Sequence, residues 1–163
     1  MSARKWAVAL VHHPVLDRAG DVVTTSITNL DVHDIARSAF THGAEHYFLV
    51  HPIAVQRELV QQVKTHWTEG SGARRIPDRK PPLERVEVTV DLEEARLRLG
   101  SDTELWVTSA KELPNAVEHG AARRRFEEPG PPILLVFGTG WGLAPSITEP
   151  STSEHAVVAL API

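Results

Sequence analysis

Hydrophobic positions in this chain fall into short solid runs, separated by stretches where apolar residues recur every three or four positions. The runs Lys5–His12 (KWAVALVH), Glu45–His51 (EHYFLVH), Glu104–Thr108 (ELWVT), Ile133–Phe137 (ILLVF) and Ala156–Leu160 (AVVAL) read as strands, and Arg85–Val90 alternates as another. Between them, Leu30–His42 places Leu30, Ile35, Ala36, Ala39 and Phe40 at helical spacing, with Asn29 as N-cap and Gly43 as stop. Pro52 opens a second helix to about Trp67, with Val55, Leu59, Val60 and Val63 on its apolar face. Leu92–Leu99 is a short helix ended by Gly100, and Lys111–Arg125 a further one weakened by Pro114. Residues 13–29 read as a long loop with a turn at Arg18–Asp21, and Gly70–Pro82 as a Gly/Pro/Arg loop without hydrophobic period.

Strands alternating with helices predict an α/β fold, a mostly parallel six-stranded sheet flanked by helices. Solid rather than alternating runs are what strands show when both faces of a sheet are covered. The 163 residues suit one domain, 1–163, and contain no internal repeat or linker. No apolar run approaches the roughly 18 residues of a membrane span, and the first run, ending in His12-His13, reads as a strand rather than a signal peptide. The absence of cysteine excludes a disulfide framework and a thiolate-bound metal, and fits a reducing, cytoplasmic setting. A net charge of −4 does not mark a nucleic-acid binder. The cations are nevertheless grouped: Arg74, Arg75, Arg79 and Lys80 stand against Glu69 and Asp78, and Arg123–Arg125 form a second cluster. A solvated surface explains either cluster equally well.

The chemistry gathers at VFGTGWGLAP, residues 136–145, where a buried strand stops at three glycines in five residues. The pattern is neither the G-x-G-x-x-G of dinucleotide folds nor a Walker loop, and it follows a late strand. Two more loops follow strands: Thr108-Ser109-Ala110 after ELWV, and Ala161-Pro162-Ile163 after AVVAL. If the strands are parallel, all three share the carboxyl edge of the sheet, where α/β proteins bind ligands, and offer backbone groups to an adenine and a ribose. A third constellation is NLDVHDIARSAFTHG, in which Arg37 lies two turns beyond Asn29 among apolar neighbours. His12, His13, Asp31, His33 and Asp34 suggest a metal phosphohydrolase, but the His-Asp proteins of that kind are all-helical and this chain is strand-rich; His12-His13 is expected to shape a pocket rim.

The stretches ALVHHPVLDRAGDVVTTSITNLDVHDIARSAFTHGA, IPDRK, VTSA, LLVFGTGWGL and API resemble the SPOUT, or α/β-knot, RNA methyltransferases, most closely a small bacterial subfamily of S-adenosylmethionine (SAM)-dependent enzymes. The first stretch and FGTGWGL are specific; VTSA and API alone are not. The resemblance implies a deep trefoil knot, a homodimer, no metal, and methyl transfer from SAM to a ribose oxygen or base nitrogen of tRNA or rRNA. It places Asn29 and Arg37 near the methyl acceptor as catalytic residues. It makes Thr108, Ser109 and Ala110, then Phe137, Gly138, Thr139, Gly140, Trp141, Gly142 and Leu143, then Ala161, Pro162 and Ile163, the cofactor loops. The glycines would let the backbone wrap the cofactor, so a β-branched residue at Gly140 is expected to obstruct ligand more than fold. Because guanidinium does not readily deprotonate, Arg37 suits orientation or charge stabilisation better than base catalysis. Arg74, Arg75, Arg79 and Lys80 would contact RNA phosphates. Similar proteins continue past the API segment with a glycine-rich turn and a Tyr-Asn-His-Leu-Ser-Val-Arg-like helix that threads the knot; the sequence here stops at Ile163. Without that helix one sheet face is expected to be partly bare. The alternative is a non-catalytic RNA- or nucleotide-binding module on the same scaffold.

Overall fold

A computed structural model describes residues 4–149 and 157–162. Six strands form one parallel sheet: β1 (Trp6–Val11), β4 (Tyr47–Val50), β5 (Val86–Thr89), β6 (Glu104–Val107), β7 (Ile133–Gly138) and β8 (Val157–Ala159), in the order β5-β4-β1-β7-β6-β8. β1 lies at the centre, paired with β4 through Val8↔Tyr47 and with β7 through Trp6↔Ile133. The all-parallel sheet explains the solid apolar runs: alternate residues of β1 enter different cores, Ala7, Ala9 and Val11 on one face and Val8 and Leu10 on the other.

On the first face α5 (Leu92–Leu99) packs through Ala95, joined by Leu143 and Ile147. On the second, α1 (Asn29–Thr41), α2 (Ala54–Thr68) and α4 (Lys80–Glu84) cover β1, β4 and β5, while α6 (His119–Glu127) covers β6 and β8 through Ala122. Between α1 and α6 the face of β7 lies open. Trp6, Val8, Ile35, Ala39, Leu135 and Phe137 line an apolar groove of about 590 Å³ there. No helix among the described residues is long and apolar enough to cross a membrane.

Several local readings are corrected. Thr28, not Asn29, caps α1: its hydroxyl accepts from the Asp31 N–H while the Asp31 carboxylate accepts from the Thr28 N–H, a capping box that makes Asn29 the first helical residue. Residues 13–29 contain a small hairpin, β2 (Val15–Leu16) with β3 (Val22–Val23), closed by Asp17 and Gly20. α2 starts at Ala54, and Val55 and Leu59 face outward; Val60 supplies the buried contact, helped by Val63 and Trp67. Residues 70–82 are not a loop. They hold α3 (Ser71–Arg75), a 3₁₀ turn at Pro77–Arg79 and the start of α4, because Pro77 and Pro81 occupy first-turn positions where no N–H is needed. Helix is absent from residues 111–118, where Pro114 precedes Asn115 in the left-handed conformation at φ 58°. The chain becomes helical only at His119.

Candidate cofactor cleft and its supporting residues

The carboxyl ends of β6, β7 and β8 open on one cleft of about 660 Å³, lined by all three sequence-identified loops. Thr108, Ser109 and Ala110 come from the β6 end; Phe137, Gly138, Gly140, Trp141 and Gly142 from the β7 end; Leu160, Ala161 and Pro162 follow β8. Ile163 lies outside the described residues. Parallel pairing brings the loops together, since β7 and β8 both flank β6. The edges are stitched further: Thr108 N–H and hydroxyl donate to Val136 O at 3.1 and 2.9 Å, and Leu160 N–H donates to Val107 O at 2.9 Å. Residues 111–118, which turn at Pro114-Asn115 rather than forming a helix, return beside β8, with Val117 N–H donating to Ala159 O at 2.7 Å. That return adds Lys111 and His119 to the wall. Sequence reasoning missed both because it ran one helix through 111–125; Lys111 lies outside any helix, and His119 begins α6 only after the chain has returned to the sheet edge.

The glycines answer first to their own chain. A side chain on Gly140 would bring its Cβ to 2.7 Å from Leu16 O, and one on Gly138 to 2.7 Å from Leu143 N. Gly140 and Gly142 also have φ of 60° and 110°, where side chains are disfavoured. The turn is clamped onto the β2–β3 hairpin by Trp141 N–H donating to Leu16 O at 2.8 Å and Leu16 N–H donating to Gly142 O at 2.9 Å. The expectation that a residue at Gly140 meets ligand before fold is therefore corrected. Two other members of the loop turn inward. Thr139 donates its hydroxyl to Val11 O at 3.2 Å and bonds the Thr25 hydroxyl, and Leu143 is buried in the core. Trp141 is 61% exposed on the cleft lip.

Asn29 and Arg37 do not line this cleft. Asn29 edges a separate depression with His33, Leu59, Gln62, Val63, His66 and Trp67. Burial pulls the His33 pKa below its ordinary value, with the nearby Arg79 charge acting in the same direction. Arg37 is exposed, 3.9 Å from Asp34. Of the proposed RNA-contacting cations, Arg74 and Arg75 are exposed in the last turn of α3, Lys80 lies 3.7 Å from Glu84, and the Arg79 guanidinium stacks 4.7 Å from the Trp67 ring centroid. In the second cluster Arg125 binds Glu104 at 3.1 Å and Arg123 binds Glu127 at 3.1 Å. His12 is no rim residue. It is fully buried, and burial depresses its pKa to about 4 despite the opposing pull of Asp31. Among the described residues no three His, Cys, Asp or Glu side chains gather to hold a metal.

The backbone matches TrmJ from Z. mobilis ZM4 with a TM-score of 0.55 at 13% identity, over 99% of this chain and 59% of TrmJ, so the two share an α/β fold. Residues 5–163 match the family described as SAM-dependent RNA methyltransferase, and the chain belongs to that family. Two tRNA (guanine-N(1)-)-methyltransferases, from Nitratidesulfovibrio vulgaris and Oleidesulfovibrio alaskensis, are 41% and 40% identical over 150 residues, 90% of this chain. The chain spans only 35% of the length of each. An uncharacterized Aquifex aeolicus protein is 33% identical over 86% of this chain and 70% of its own.

Proposed function

We propose that residues 5–163 act as one methyltransferase unit that binds SAM in the cleft between the β6, β7 and β8 loops and methylates tRNA. The observation that carries this reading is the convergence of Thr108–Lys111, Phe137–Gly142 and Leu160–Pro162 on one cleft. Backbone amides and carbonyls there suit the polar edge of an adenine, and Phe137, Trp141 and Leu160 suit its faces. The sulfonium methyl is already activated. The protein's task is to align an RNA nucleophile behind it, exclude water and accept a proton as S-adenosylhomocysteine leaves. Lys111 and His119 are the titratable side chains on the cleft wall. tRNA is favoured over rRNA, and a base nitrogen over a ribose oxygen, by the names of two relatives that are about 40% identical. Those names belong to chains of which this one spans only 35%, so the substrate is a proposal for this chain.

Asn29 and Arg37 remain the proposed acceptor-side residues. Because neither lines the cleft of its own chain, the role requires a second copy to present them, which is the support for a homodimer. A knotted carboxyl-terminal segment and a cytoplasmic location complete the proposal, the latter because the substrate is RNA. The test is transfer of labelled methyl from SAM to unmodified tRNA transcripts, with rRNA fragments in parallel. Label in a tRNA base supports the proposal. Label confined to rRNA or ribose overturns its substrate half. SAM binding with no transfer to any RNA would favour the non-catalytic module.

A further inference from the structure

Beneath the glycine-rich loop lies a buried polar junction centred on Thr25. The Thr25 N–H donates to His12 O at 2.9 Å, and its carbonyl accepts from His51 Nε2 at 2.9 Å. Its hydroxyl lies 3.0 Å from His12 Nδ1 and bonds the Thr139 hydroxyl of the loop above. His51 Nδ1 accepts from the Ile53 N–H at 3.1 Å, so His51 carries its proton on Nε2. His12 is fully buried; its Nε2 has no hydrogen-bond partner and lies 3.9 Å from Asp31 Oδ2.

The direction of this chain follows from electrostatics. Burial keeps His12 neutral, so its ring carries one proton. On Nδ1, that proton would leave a bare Nε2 lone pair facing the Asp31 carboxylate with little water to screen the repulsion. On Nε2, the N–H faces the carboxylate. Nδ1 then accepts from the Thr25 hydroxyl, which spends the one Thr25 proton, and the Thr139 hydroxyl shares its own proton between the Thr25 oxygen and Val11 O. The order from Thr139 to His12 therefore follows from the His12 tautomer. At its far end Asp31 belongs to the capping box of α1, and its carbonyl accepts from the Tyr47 hydroxyl at 2.7 Å.

We propose that Thr25 and His12 are positioning residues: a one-way relay from Thr139 through Thr25 and His12 to Asp31 holds the glycine-rich loop in register with the first turn of α1. It joins the proposed cofactor loop to the element that begins with Asn29. The proposal rests on the reading of the cleft as the SAM site. Thr139 is the only residue of Gly138–Gly142 with a hydroxyl, and it spends that group on the interior rather than on the cleft.

The test uses the full chain and SAM itself, by calorimetric titration with amide hydrogen exchange. Thr25→Val keeps the shape and removes the hydroxyl, Thr25→Ser restores it, and Thr139→Val cuts the same bond from the loop side, should Thr25→Val not fold. Ala110→Trp fills the cleft. Thr25→Val and Thr139→Val should each weaken SAM binding about tenfold and together no more than either alone, with faster exchange at Trp141 and Gly142. Thr25→Ser should stay within about twofold of the parent, since a restored hydroxyl restores the bond. The relay is overturned if Thr25→Val binds like the parent, if serine is as impaired as valine, or if the two losses add. If Ala110→Trp binds SAM normally, the cleft reading itself fails. If Ala110→Trp abolishes binding while Thr25→Val does not, only the relay fails.

Discussion

Gly140 shows how a residue chosen for ligand chemistry is held by the chain's own backbone. Its missing Cβ makes room for Leu16 O, and its φ of 60° suits glycine. Gly140→Ala should therefore destabilise the fold by about 1–3 kcal/mol, read as a lower urea midpoint, with weakened SAM binding as a consequence. An unchanged midpoint would return Gly140 to a purely ligand-facing role. His12 gives a second residue-scale prediction. It takes up a proton at about pH 4 when folded and near 6.5 when unfolded, so between those values the unfolded chain binds the extra proton. Stability from keeping His12 neutral is complete above about 6.5 and is lost as pH falls toward 4. The change is roughly 3 kcal/mol at 1.36 kcal/mol per pKa unit. His51, also pulled down chiefly by burial, adds in the same direction. Urea midpoints measured from pH 7 to 4 should fall through this window, and His12→Asn should flatten the fall. A pH-independent midpoint would contradict the buried neutral imidazole.

Among the elements, α5 was legible to the residue, because its apolar spacing ends cleanly at Gly100. The sheet was equally legible, since solid apolar runs have few alternatives when helices alternate with them. Among the helices, the misread ends involve proline or a local cap. Pro77 and Pro81 look like breakers but stand where helices tolerate them, and Pro114 with Asn115 ends a helix that composition alone would continue. Thr28 won the cap from Asn29 because Asp31 completes its box. The three cleft loops were legible from their positions after strands; Lys111 and His119 were not, because their placement depends on the path between elements. The α3–α4 segment carries its own prediction. Arg79 is committed to Trp67 and Lys80 to Glu84, which leaves Arg74 and Arg75 as the exposed pair. Replacing both by alanine should weaken binding to tRNA and reduce its log–log salt slope by about two if both meet phosphates. An unaltered slope would move the RNA contact elsewhere.

At the scale of the molecule, the two ends of the proposed mechanism sit on different parts of one sheet. The cleft opens at the carboxyl ends of β6–β8, while Asn29 and Arg37 lie on α1, across the apolar groove that exposes Leu135 and Phe137. The sequence placed both motifs in the chain but could not show that distance, which arises from strand order rather than from any local pattern. The account stands on the cleft. Its most direct test is an amide chemical-shift titration of this 17.9 kDa chain with SAM. The predicted result is saturable shifts concentrated at Thr108–Lys111, Gly138–Gly142 and Leu160–Ala161, with smaller ones at Thr25 and His12. Saturable shifts confined to the Asn29–Trp67 depression or the apolar groove, or no shifts at all, would contradict it.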